Sequence, residues 1–177
     1  MVCLGNQINN QKEEIMTMII YNDPETGILV EMFPCLHELN PATKKPFTVQ
    51  EVADKDVPDG VPYSIVEDSA IPTDQSFRDA WKGVAIGTTD VTITEDMTKA
   101  KEIHKTNIRN VRAPLLSALD IEFQRALESS ADTSTIVAKK QALRDAPAAS
   151  GISTSSNVTE LKAQWDHTIL GDSPYHK

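Results

Sequence analysis

Residues 96–128 read DMTKAKEIHKTNIRNVRAPLLSALDIEFQRALE. At about 100° per residue, Ala100, His104, Ile108, Val111 and Leu115 fall on one side of a helix, and Leu119, Phe123 and Leu127 continue the stripe. Thr94 reads as the N-cap, with Glu95 and Asp96 placed to complement the helix dipole. Pro114 interrupts the stripe, so either the helix kinks there or it ends near Arg112 and a second begins with Pro at its first position. The polar run Ser129-Ser130-Ala131-Asp132-Thr133 breaks the pattern and caps a second helix over 135–144, with Ile136 and Leu143 two turns apart and Pro147 ending it. A small polar loop over 148–156 follows. Asn157 and Glu160 then cap a last helix whose Val158, Leu161 and Trp165 share a face. Residues 94–170 are thus expected to form an antiparallel helical hairpin with a short third helix.

Upstream the pattern changes to strands. Met18-Ile19-Ile20-Tyr21 and Ile28-Leu29-Val30-Glu31-Met32-Phe33 flank a turn containing Pro24 and Gly27, a β-hairpin signal. Pro34, Pro41 and Pro46 exclude regular structure until Thr48, which has a capping-box spacing with Glu51 and a hydrophobic staple in Phe47 and Val52, predicting a helix over 49–55. A strand is expected over 61–67, with Pro62 confining it to an edge or the strand's start, and another β segment over 84–93. Between them, Phe77 and Trp81 stand four apart, as on one side of a helical turn within 74–82. The fold class is α+β. The organisation is a polar arm (1–15), a small α+β domain of hairpin and edge strand (16–93), the helical hairpin domain (94–170) and a tail (171–177).

The chain has 177 residues, of which 40% are hydrophobic and 24% charged, a globular composition that excludes collagen, low complexity and wholesale disorder. The net charge is -9, which argues against nucleic acid as a partner because such affinity comes mainly from cations that displace counterions. Six basic and seventeen acidic side chains lie in residues 1–98, against nine and six in residues 99–145, so the two halves differ in sign. Cys3 and Cys35 form neither a disulfide framework nor a zinc spacing and are read as reduced thiols. The start lacks a signal-peptide pattern, and no apolar run is long enough to span a bilayer, so cytoplasmic synthesis without a membrane partner is expected.

A search for chemistry finds little. His37, His104, His167 and His176 lack metal-ligand spacing, and the run from Asp54 to Gly60 fails as a calcium loop because Gly sits at the seventh position and Ile65 at the twelfth. Gly83 and Gly87 make no phosphate loop, and no nucleophile elbow occurs, so the expectation is no enzyme, no cofactor and no metal. Two features remain as partner-binding candidates. Lys101, Lys105, Arg109 and Arg112 fall within about 80° of arc on one helix, a basic docking face or a solvated side paired with the acidic half. Phe77, Trp81 and Trp165 are candidate interface anchors, with core use as the alternative.

The strings at 55–82 (KDVPDGVPYSIVEDSAIPTDQSFRDAWK), 96–128, 139–147 (KKQALRDAP) and 160–165 (ELKAQW) resemble small proteins encoded near tail-fibre genes in tailed bacteriophages. Gln141-Ala142-Leu143-Arg144-Asp145 followed by Pro147 is also similar to the C-terminal signature of phage tail fibre assembly chaperones. That signature runs on into Gly-Phe-Pro and Trp-Pro segments, where this chain has Ala148 to Ile152 and an Asp after Trp165. The resemblance implies a non-enzymatic virion tail protein, made in the host cytoplasm, that docks on a fibre or baseplate subunit as a structural adaptor. The alternatives are an assembly chaperone absent from the mature virion, or a tail-borne cell-envelope hydrolase. Leu143, Arg144 and Asp145 are the contact residues it implies, the polar arm comes second, and a trimer or ring is the assembly that fibre partners suggest.

Overall fold

The computed structural model describes residues 16–175. The polar arm, Cys3 and the final two residues lie outside the described residues. Strands β1 (Thr17–Asn22), β2 (Leu29–Met32) and β3 (Tyr63–Glu67) form an antiparallel sheet in the order β2-β1-β3. The expected hairpin is present. Its turn is held by the Asp23 carboxylate, which accepts from the backbone N–H of Thr26 at 2.7 Å and of Glu25 at 3.1 Å, while Gly27 takes a positive φ of 65° that favours glycine.

Both faces of β1 are covered, which is why Met18, Ile19 and Ile20 form an unbroken apolar run. Ile19 packs with Val52, Ala53 and Val57 at helix α1 (Val49–Asp56). The capping box is formed: Thr48 Oγ1 accepts from Glu51 N at 3.2 Å and the Glu51 carboxylate accepts from Thr48 N at 2.8 Å. Met18 and Ile20 pack on the opposite face with Leu29, Val66 and Trp81. Trp81 belongs to a second antiparallel pair, β4 (Trp81–Val84) and β5 (Thr92–Glu95). The Asn22 side chain ties the two sheets together, donating to Gly83 O and accepting from Gly83 N, each at 2.8 Å.

Three expectations fail here. The β segment expected over 84–93 is mostly the connection between β4 and β5, with strand only at its two ends. Residues 74–82 do not make a helical turn carrying Phe77 and Trp81 side by side: a single 3₁₀ turn at Arg78–Ala80 separates them, and Trp81 opens a strand. Thr94 is not a helix cap, because it pairs with Lys82 in the ladder. The cap is Asp96, whose carboxylate accepts from Thr98 N at 2.9 Å and Lys99 N at 3.2 Å.

Helix α2 (Met97–Glu128) runs unbroken through Pro114, about 48 Å at 1.5 Å per residue. It ends in a Schellman motif: Ala131 N donates to Ala126 O at 2.8 Å, Ser130 N to Leu127 O at 3.1 Å, and Ser130 takes a left-handed φ of 54°. Helix α3 (Ser134–Asp145) returns antiparallel, as the pairings of Arg112 with the carbonyls of Leu143 and Arg144 and of Asp120 with Lys140 require. The expected third helix is instead three short pieces, α4 (Ser150–Thr154), α5 (Val158–Lys162) and α6 (His167–Leu170). The first of them occupies the segment expected to be a loop. Trp165 lies beyond α5, with its indole N–H donating to Gly171 O at 3.1 Å. These pieces and α3 bury Ile152, Leu161, Leu170 and Leu143 against Ala100 and Ile108 of α2, and Phe77 and Ala80 from the first unit enter the same core.

Candidate functional site

The candidate aromatic anchors are corrected first. Phe77 and Trp165 are buried in the helical core and Trp81 between the sheets, so all three stabilise the fold and none is a surface anchor. Leu143 is also core, whereas Arg144 and Asp145 stay exposed, the Asp145 carboxylate accepting from Gln141 Nε2 at 2.9 Å.

The basic row is largely engaged within the chain. Lys101 Nζ donates to Ser153 O at 2.7 Å, and Arg112 donates to Leu143 O at 3.1 Å and Arg144 O at 2.7 Å, meeting the last carbonyls of α3 where a cation suits the helix dipole. Lys105 binds Glu102 at 2.7 Å, one turn earlier on the same helix, and that pairing holds the Glu102 carboxyl below its usual range. Arg109 remains exposed. The row is therefore mainly a clamp on the C-terminal segment, and among the described residues its contacts are not with the acidic half.

The arc of α2 that carries the core does continue outward. Leu115, Ala118, Leu119 and Glu122 occupy the same span of about 100° as Ala100, His104, Ile108 and Val111. In the proximal half that arc is covered by the short helices and the Phe77 segment. In the distal half α3 and the Ile169 end of the α6 segment lie alongside, and α3 packs on the neighbouring arc, where Asp120 pairs with Lys140 at 2.5 Å and Phe123 has Lys140 Nζ 5.0 Å from its ring centroid. Two helices alone bury one seam, and a stripe wider than that seam stays in water. The result is an apolar groove of about 220 Å³ lined by Leu115, Ala118, Leu119 and Glu122 of α2, Lys139 and Leu143 of α3 and Ile169 of α6. On the hairpin's other sides Leu127 is 56% exposed, Ile121 53% and Val137 48%.

Compared with family models, curated proteins and solved structures, the chain matches none.

The sequence reading placed Leu115, Leu119, Phe123 and Leu127 on one apolar stripe and so missed the exposure of Leu115 and Leu127, whereas Leu119 and Phe123 are half-buried. The signal was there: a 32-residue helix faces a 12-residue partner. The same reading missed Tyr175, placed in a tail, whose ring lies 5.1 Å from Phe77, 5.6 Å from His104 and 6.0 Å from Trp165 between centroids. Tyr175 and Lys162, which pairs with Asp74, line a polar cleft opened between the Asp74 loop and the C-terminal segment. Among the described residues, no three His, Cys, Asp or Glu side chains gather to hold a metal ion, and no helix is long and apolar enough to cross a membrane.

Proposed function

We propose that this chain is a non-enzymatic docking component of a bacteriophage tail, binding a tail-fibre or baseplate subunit through the projecting α2–α3 hairpin. One observation carries the docking half of this reading: Ile121, Leu127 and Val137 stand about half exposed on a two-helix projection beyond the core. Large apolar side chains left half in water on a protruding element are available for a partner to bury, and a few such residues dominate binding energy. The tail setting rests on the resemblance of the strings at 55–82, 96–128 and 139–147.

Co-expression with a tail-fibre subunit tests it. The native chain is expected to co-purify, and the pair Leu127→Asp and Val137→Asp to weaken capture about tenfold or more with the helical circular dichroism unchanged. Capture that survives both substitutions refutes the hairpin as the contact. Mass spectrometry of purified virions then separates the two roles: a structural adaptor is present in stoichiometric amount, and an assembly chaperone is missing.

A further inference from the structure

The structure assigns a strand-addition site to the outer edge of β3, where an extended, basic segment of a partner polypeptide lies along Tyr63–Glu67 as a fourth strand of the β2-β1-β3 sheet. The site is built from other elements than the α2–α3 hairpin and does not depend on the tail reading.

Ladder parity decides which backbone groups are free. Asp68 N donates to Met16 O at 2.9 Å, so in this antiparallel pair Ser64 and Val66 turn their N–H and C=O groups toward β1, and Tyr63, Ile65 and Glu67 turn theirs outward. Among the described residues β3 pairs with β1 alone, and the outward groups have no hydrogen-bond partner. Such an edge is normally blunted by a lysine, a proline or a bulge. Pro62 stands just before β3, but Tyr63–Glu67 contains none of the three.

The edge is also the floor of an open groove of about 550 Å³. Gln50 of α1 walls it on the face that buries Ile19, and Thr88 and Val91, on the connection between β4 and β5, wall it on the face that buries Val66. A single extended strand fits between these walls and pairs with the outward donors and acceptors, which a helix, its own backbone groups already satisfied, cannot do. Ile65, 39% exposed, offers that strand an apolar contact. A second copy does not fit, because pairing β3 with β3 carries its own α1 and β4–β5 connection into the walls. Charge sets the composition of the strand. Among the described residues Glu67 is the one charged side chain lining the groove, with exposed Asp68 and Asp90 beside the lining residues, so a segment carrying lysine or arginine is favoured over an acidic one.

Selection of displayed random heptapeptides on the immobilised full chain, followed by titration of an enriched peptide into the isotope-labelled full chain, is the test. Basic peptides rich in strand-forming residues are expected, and the bound peptide should slow amide exchange at Ile65 and Glu67 about tenfold or more. Glu67→Pro removes one outward N–H with little strain, since Glu67 already has a φ of -75° and its N–H holds no ladder bond. It should weaken binding about tenfold or more, whereas Glu67→Gln, which keeps the N–H and loses only the charge, weakens it about threefold and reduces the preference for basic peptides. No enrichment, enrichment of acidic peptides, or equal affinity of the two variants overturns the inference. So do Ile65 and Glu67 amides that exchange slowly in the chain alone, or become protected as its concentration rises, because the edge then belongs to the chain itself or to a second copy.

Discussion

His104 gives the most quantitative expectation. Its ring has no solvent exposure, its Nδ1 lies 2.9 Å from the Tyr175 hydroxyl, and that oxygen also accepts from Asn107 Nδ2 at 3.2 Å. The Tyr175 hydroxyl partners Nδ1, while Nε2 is enclosed without a hydrogen-bond partner among the described residues, so a second proton on the ring would leave a buried N–H with no acceptor. A histidinium there is a charge buried with no acidic partner among the described residues. Burial lowers the His104 pKa from 6.5 to about 4. A histidine with a depressed folded-state pKa contributes stability that is present above the unfolded value and lost as pH falls toward the folded one. By linkage the loss relative to neutral pH is about 2 kcal/mol at about pH 5, and about 3 kcal/mol once pH reaches the folded value. Urea unfolding of the native chain and of His104→Leu, measured side by side from neutral to mildly acid pH, isolates this contribution, since carboxylates titrate in both. Burial raises the Tyr175 pKa, so its phenol stays neutral throughout. The native chain should lose about 2 kcal/mol more than the variant by about pH 5. A difference between the two that is flat with pH refutes the buried neutral histidine.

Ser130 holds a left-handed conformation at the end of α2, where glycine costs less, so Ser130→Gly should raise stability by about 0.5–1 kcal/mol and the melting temperature by a few degrees, read by calorimetry. The Glu31 side chain is only 4% exposed and takes Arg78 Nη2 at 3.1 Å as its partner. Arg78→Ala strands that carboxylate and should cost about 3 kcal/mol in chemical denaturation, with Glu31→Gln added to it recovering part of the loss.

Local signals in the sequence carried the local structure. The Thr48–Glu51 box, the Asn157 cap, the Gly27 turn and the stripe from Ala100 to Val111 each depend on residues within a turn or two of one another, and each appears in the structure as expected. What failed depended on distant partners. Phe77 and Trp81 have helical spacing, but the pairing of Trp81 with Glu95 pulls the chain into a ladder, and Phe77 turns the other way into the helical core. Thr94 is a good cap by type, yet the same ladder claims it. Pro114 left two outcomes open, and the helix continues through it, at the loss of one backbone donor. The exposure of Leu115 and Leu127 was hidden for a related reason: periodicity reports that a helix has an apolar side, while whether that side is covered depends on how many neighbours reach it.

We propose the α2–α3 hairpin as the place where a partner polypeptide docks. Lysine-directed cross-linking of assembled particles, or of the chain bound to a fibre subunit, reads this directly, because exposed lysines mark both ends of the molecule: Lys139 on α3, and Lys44, Lys45 and Lys82 on the β unit. Cross-links to the partner concentrated on Lys139 and its helix are the predicted result. Cross-links confined to Lys44, Lys45 and Lys82, with the hairpin unlabelled, would contradict it.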